Sequence, residues 1–116
     1  MVIVYGIKNC DSCRNAMVWL AKHEIEYKFH DYRVNGLEAK VLQRWIDLNG
    51  WELLLNRKST TWRKLQKREK ENVDRIQATE LMTAYPTLIK RPVFEVGSKL
   101  LIGFTKSEKE SLVRNY

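Results

Sequence analysis

Two hydrophobic periods take turns along this chain. Val2, Ile3, Val4 and Tyr5 make a short β-branched and aromatic run ended by Gly6, which predicts a buried strand over 1–6. The period then lengthens. Cys13, Ala16, Met17, Leu20 and Ala21 recur at i, i+3, i+4, i+7 and i+8, the apolar stripe of a helix, and Asp11 and Ser12 suit its first turn. Over 25–32, Ile25, Tyr27 and Phe29 alternate with Glu26, Lys28 and His30, a second strand. A strand, a helix and a strand in so short a span form a βαβ unit, so these strands are expected to be parallel.

Asn35-Gly36 reads as a turn. Val41, Leu42, Trp45, Ile46 and Leu48 restore the helical period until Asn49-Gly50 stops it. The stretches 51–55, around 62–70 and 79–85 read as further helical pieces, the last ended by Pro86, and nothing between Arg33 and Pro86 has a strand pattern. Val93, Phe94 and Val96, a Gly97-Ser98 turn, and Leu100 to Ile102 then predict a hairpin. Thr105-Lys106-Ser107-Glu108 has the form of a capping box, opening a helix at about Lys106 with Leu112, Val113 and Tyr116 inward. The order βαβ, helical block, ββα resembles an α/β thioredoxin-like fold with a helical insertion at about 36–86. One domain over 1–116 is expected.

Composition narrows the classes of function. No apolar run approaches the roughly 20 residues of a membrane helix. The N-terminus lacks the basic-then-apolar layout of a secretory signal, so a cytoplasmic location is expected. In that compartment two cysteines point to catalytic, redox or metal chemistry rather than a structural bridge. The net charge is +7, and Arg57 to Arg75 holds eight basic residues against three acidic ones. Such a segment attracts anions, or is simply a solvated helical face. It has little aromatic surface for stacking bases, so no direct nucleic-acid binding is expected.

Lys8-Asn9-Cys10-Asp11-Ser12-Cys13-Arg14 falls at the junction of the first strand and helix. A thiol there faces unpaired backbone N–H groups and the positive end of the helix dipole, and both favour thiolate. Lys8 and Arg14 add cations on either side, and the N–H groups of residues 11–14 are placed to hold charge on a reacting group. Cys10 precedes the first turn and reads as a nucleophile, or as a small half-buried thiol. Cys13 lies on the apolar stripe and reads as a resolving thiol or as core packing. A zinc site from Cys10, Cys13, His23 and His30 lacks a second paired knuckle, so no metal is expected. Arg91-Pro92, before the third strand, is either a strand-edge proline or a cis-proline beside the thiol.

Several motifs taken together resemble the arsenate reductase (ArsC)/Spx family, and most of all its YffB-like branch. They are Tyr5-Gly6-Ile7-Lys8-Asn9-Cys10-Asp11, His30-Asp31-Tyr32-Arg33, Leu54-Leu55-Asn56, Thr60-Thr61-Trp62-Arg63-Lys64-Leu65 and Lys90-Arg91-Pro92-Val93. The resemblance implies a nucleophilic Cys10 with Arg14 four residues on. It also implies Arg91 before Pro92, a cis-proline opposite the thiol, and an oxyanion contact from Arg57 or Lys58. Two departures stand out: Gly6 replaces the family's histidine four residues before the cysteine, and Gly103 or a neighbour replaces an arginine after the last strand. The arsenate pocket is thus incomplete.

What the branch implies is a glutathione-dependent thiol reductase, with glutathione as co-substrate, no bound cofactor, glutaredoxin as a further partner, and a monomer. Cys10-Asp11-Ser12-Cys13-Arg14 also has the form of the Spx switch. That implies the alternative of a redox-sensing regulator that binds the C-terminal domain of the RNA polymerase alpha subunit.

Overall fold

A computed structural model describes residues 1–115; Tyr116, expected to face inward, lies outside the described residues. In chain order the elements are β1 (Val2–Gly6), α1 (Asp11–Lys22), β2 (Tyr27–Asp31), α2 (Tyr32–Asn35), α3 (Ala39–Asn49), α4 (Trp51–Leu54), α5 (Thr60–Lys64), α6 (Lys67–Lys70), α7 (Arg75–Ala84), a 3-10 turn (Pro86–Leu88), β3 (Val93–Val96), β4 (Lys99–Ile102) and α8 (Lys106–Arg114). Packing divides the chain into two compact units: Met1–Asn35 together with the chain from Arg91, and Gly36–Lys90.

The first unit holds the sheet, whose strand order is β2-β1-β3-β4. β1 runs parallel to β2, with Gly6 opposite Asp31, and antiparallel to β3, with Tyr5 opposite Val93. This is the thioredoxin-like arrangement of a βαβ half beside a ββα half. Val2 and Val4 of β1, Phe94 and Val96 of β3, Ala16 and Leu20 of α1, and Leu112 of α8 form one core. Gly97 takes φ +60° at the hairpin turn, a conformation glycine adopts without a Cβ clash. Glu108 accepts the Thr105 N–H at 2.6 Å, so the capping box that opens α8 is formed.

The sequence pattern proves too generous at three places. On α1 only Cys13, Ala16 and Leu20 are buried, while Ala21 is exposed. At about 100° per residue, Ala21 stands more than a quarter-turn from the centre of that face. The same spacing separates buried Leu112 from Val113, which is 57% exposed. Ile25 is buried but precedes the strand, where its N–H closes the end of α1 on the Leu20 carbonyl at 2.9 Å. β2 ends at Asp31, whose carboxylate accepts the Arg33 N–H at 2.8 Å and turns the chain into α2.

The second unit is helical. α7 packs against α3 and α4, and Leu42, Trp45, Ile46, Leu54, Ala78 and Met82 are buried there. The pattern around 62–70 is two short helices: Ser59 caps the first, its hydroxyl accepting the Trp62 N–H at 3.1 Å, and Gln66 opens the second. α7 begins at Arg75, earlier than its apolar pattern, because the Asp74 carboxylate accepts the Gln77 N–H at 2.8 Å. The unit reaches Lys90. Leu55 bridges Ile89, with Asn56 N–H on the Leu88 carbonyl and Lys90 N–H on the Leu54 carbonyl, each at 2.8 Å.

Candidate active site

Cys10 is the N-cap residue of α1: its backbone is extended (φ −143°, ψ 118°), and its carbonyl accepts the Arg14 N–H at 3.0 Å. Its thiol therefore sits at the positive end of a helix of 12 residues. The loop leading into it is tied down from β2. Buried Asp31 accepts the Lys8 N–H at 3.3 Å as well as the Arg33 N–H. A buried carboxylate at a strand end thus fixes the approach to the cysteine. The sequence holds a sign of this in His30-Asp31-Tyr32-Arg33, a polar stop directly after an alternating strand.

The two thiols are driven in opposite directions. Burial alone would raise the Cys10 thiol, but three hydrogen-bond donors outweigh it: the Cys13 backbone N–H, the Cys13 thiol and the Arg91 guanidinium. Together with the positive charge of Arg91, they hold Cys10 below its ordinary value of 9.0. Cys13 is fully buried. That burial pushes its thiol up to about 12, against a hydrogen bond from the Ile7 backbone N–H and with reinforcement from the neighbouring Cys10 sulfur. Of the two, the outer sulfur is the one that gives up its proton more readily.

The cation bonded to Cys10 is Arg91. Arg14, expected to share that role, is turned elsewhere: its guanidinium pairs with Asp11 and donates to the Lys8 carbonyl at 3.2 Å. Asp11 on the following turn competes for it, which spacing from the cysteine does not reveal. Arg91 joins Pro92 through a cis peptide bond, and the buried Pro92 accepts the Gly103 N–H at 2.8 Å. β3 starts one residue later beside Tyr5, which brings Arg91 to the end of β1 that leads to the thiol.

Of the other expected contributors, Lys8, Asn9, Asp11 and Ser12 are exposed on the loop and first turn around Cys10. Arg57 and Lys58 belong to the helical unit. Arg57 lies over the Trp62 ring at 5.7 Å, and with Lys58, Lys90, Asn56 and Glu52 it lines a cavity of about 390 Å³. The place of the absent histidine is filled. A Cβ at Gly6 would overlap the Cys13 sulfur. His23 contacts the Trp19 carbonyl through Nδ1 at 2.9 Å, and His30 packs on Tyr5 with ring centres 4.8 Å apart. Among the described residues, no three His, Cys, Asp or Glu side chains are grouped to hold a metal ion. No helix among them is long and apolar enough to cross a membrane.

Three residues near the site carry no assignment from sequence. Tyr5 donates its hydroxyl to Glu95 at 2.8 Å, and Tyr32 stacks on Tyr5 with ring centres 6.3 Å apart. Nothing in their spacing announces a cluster, because only the sheet register unites them.

The chain has relatives among known proteins and solved structures. The chain is 46% identical over 111 residues to an uncharacterised protein of Haemophilus influenzae, covering 96% of this chain and 97% of that one. It is 29% identical to the global transcriptional regulator Spx of Streptococcus pneumoniae, over all of this chain and 89% of that one. Among solved structures, the YffB protein superposes with a TM-score of 0.91 at 42% identity, covering 97% of this chain and 98% of that one. An arsenate reductase-related protein of Brucella melitensis gives a TM-score of 0.77 at 48% identity, covering 95% and 92%. The ArsC family model matches residues 5–112, and the chain belongs to the ArsC family.

Proposed function

We propose that the protein is a glutathione-dependent thiol reductase of the cytoplasm with Cys10 as its nucleophile. The observation that carries this reading is the Cys10 sulfur at the head of α1, hydrogen-bonded by Arg91 and by Cys13, which lower its pKa from the ordinary thiol value. Such a sulfur ionises more readily than an ordinary thiol and is half-exposed, as attack on a disulfide requires. The thiolate attacks one sulfur of a glutathione mixed disulfide, a Cys10–glutathione bond forms, and the other thiolate leaves. A second glutathione then attacks the glutathione sulfur, glutathione disulfide leaves and the Cys10 thiolate is restored; or Cys13 attacks Cys10 Sγ, glutathione leaves as its thiolate, and the resulting Cys10–Cys13 disulfide is reduced by two further glutathiones. Arg91 steadies the sulfur charge, while the N–H groups at the head of α1, with Lys8, Asn9, Asp11 and Ser12 around them, face the incoming anion. Arg57, Lys58 and the basic segment around them raise the local concentration of an anionic co-substrate.

Arsenate fits less well, since Gly6 stands where the family has a histidine and the space is taken by Cys13. The measurement that tests the reading is Cys10 alkylation against pH. Alongside it, mass spectrometry of the glutathionylated product is run on wild type, Cys10→Ser and Cys13→Ser. A Cys10 midpoint at the ordinary 9.0 would sink it.

A regulatory reading is favoured by one specific feature. The paired cysteines are hydrogen-bonded to one another, and the chain aligns along its whole length with Spx regulators. In that case a Cys10–Cys13 disulfide would alter binding to the C-terminal domain of RNA polymerase alpha. Pull-down with that domain under reducing and oxidising conditions decides it, and no redox-dependent capture discards it.

A further inference from the structure

α1 and α8 pack into one core through Ala16, Leu20 and Leu112. Along them two hollows of about 420 and 500 Å³ open side by side, sharing Trp19 and Lys109. The floor is aromatic. Trp19 and Phe104 rest half-buried on the core and meet edge to face, with ring centres 5.7 Å apart. Val18 and Val113 line the hollows as well, and the fold leaves them 56% and 57% exposed. The rim is cationic. Lys22, Lys106, Lys109 and Arg114 stand there against one carboxylate, Glu110, which lies 4.0 Å from Lys106 Nζ. An apolar floor under a cationic rim suits an anionic partner that also carries hydrocarbon. From Ser12 to Lys22 the groove runs about 15 Å along α1, so its occupant is elongated. Nucleic acid fits poorly, because His23 lies along the Trp19 ring at 4.1 Å and Lys109 covers Phe104 at 4.8 Å, where bases would have to stack. A lipid surface is too flat to reach a floor set between two helices. An extended protein segment, lowering one apolar side chain between carboxylates, meets both floor and rim.

We propose that the groove between α1 and α8 docks an acidic protein segment, its apolar anchor on Trp19 and Val113, so that the substrates of Cys10 are glutathione-blocked cysteines of acidic proteins. This rests on the reading of Cys10 as nucleophile. Trp19 follows Cys10 by nine residues, about 13 Å along the helix. An extended chain covers that distance in about four residues, which sets the spacing between the blocked cysteine and the docked segment. The Cys10 thiolate attacks the glutathione sulfur. A Cys10–glutathione bond forms, the bond to the protein sulfur breaks, and the protein cysteine leaves as its thiolate. A free glutathione thiolate then attacks the glutathione sulfur on Cys10, glutathione disulfide leaves and the Cys10 thiolate returns. The protein cysteine is reduced and two glutathiones end as one disulfide.

Two synthetic peptides test the proposal on the full chain. Each carries one glutathione-blocked cysteine and, about four residues on, a phenylalanine flanked by carboxylates in the first peptide and by the matching amides in the second. With glutathione in excess at low salt, kcat/KM for release of the peptide thiol should be about tenfold higher for the acidic peptide, through KM with kcat alike. Added salt should erode the preference. Lys109→Glu should abolish it and leave the amide peptide at its wild-type efficiency. Val113→Asp, at an exposed position, should do the same, and thermal melting shows that both variants fold. Equal efficiencies for the two peptides on wild type overturn the proposal, as does a preference that both folded variants keep. Binding to phosphatidylserine vesicles that the same variants lose, with no preference between the peptides, gives the groove to a membrane and overturns it too. Turnover of neither peptide, or turnover that survives in Cys10→Ser, overturns the Cys10 reading itself, and the proposal with it.

Discussion

Cys10 and Cys13 stand one turn apart at the head of the same helix, yet their surroundings treat one chemical group in opposite ways. Around Cys10 the chain gathers donors: the Cys13 N–H and thiol and the Arg91 guanidinium, at a half-exposed position. Around Cys13 it gathers hydrocarbon and a closely approaching glycine, with one backbone donor from Ile7. The first setting favours charge and contact with solvent. The second favours a neutral thiol, first through burial and then through the neighbouring Cys10 sulfur. The lesson is that a Cys-x-x-Cys spacing gives two sulfurs one helix face at most, and roles follow from what each sulfur is buried against.

The largest effect expected from breaking this comparison is at the outer sulfur. Cys10→Ser should lower thiol–disulfide exchange by about a thousandfold or more, since a hydroxyl is not ionised at neutral pH. Cys13→Ser should spare the first attack, and stopped-flow kinetics with a glutathione mixed disulfide separates the two. Loss of both activities to the same extent would erase the distinction between the two thiols.

Removing the cation comes next. Arg91→Gln should raise the Cys10 midpoint by about one unit and reduce its thiolate fraction at neutral pH about tenfold. Arg14→Ala should shift it by less, because Arg14 is engaged by Asp11 and the Lys8 carbonyl. Alkylation rates against pH measure both, and equal shifts would contradict the geometry.

The inner sulfur leaves its mark on stability. A thiol pushed up to about 12 keeps its proton in the fold while the unfolded chain releases it from about 9.0 upward. The folded state then binds more protons, so this contribution is complete below 9.0 and is lost as pH rises towards 12. Cys10 acts with the opposite sign: its lowered value adds stability above the ordinary thiol range, lost as pH falls through the folded value. Urea denaturation of reduced wild type should therefore show a decline above about pH 9 that Cys13→Ala removes. The smallest effect is expected in the helical unit. Arg57→Ala or Lys58→Ala should raise KM for an anionic thiol substrate about twofold at low salt, with kcat unchanged and the difference fading as salt is added.

Much of this could be read along the chain, wherever short-range physics decides. The apolar run before Gly6 and the stripe from Cys13 to Leu20 place a cysteine at a helix N-terminus. The Thr105–Glu108 box opens α8 where its spacing says. Asp74 shows where the pattern falls short, since it extends α7 upstream of any apolar signal by satisfying a backbone donor. Arg14 shows it again. Its distance in sequence from Cys10 is right, but a neighbouring carboxylate claims it.

What the sequence alone determined is the set of local commitments: two periods, their caps and stops, and a thiol at the positive end of a helix. These follow from neighbours within a turn or a hairpin, whose geometry the backbone dictates. Only the tertiary structure decided that Arg91 reaches Cys10 and that the Cys13 sulfur fills the space a Cβ at Gly6 would need. Those assignments depend on sheet register and on burial, which join residues far apart in the chain and set the dielectric in which each charge must live.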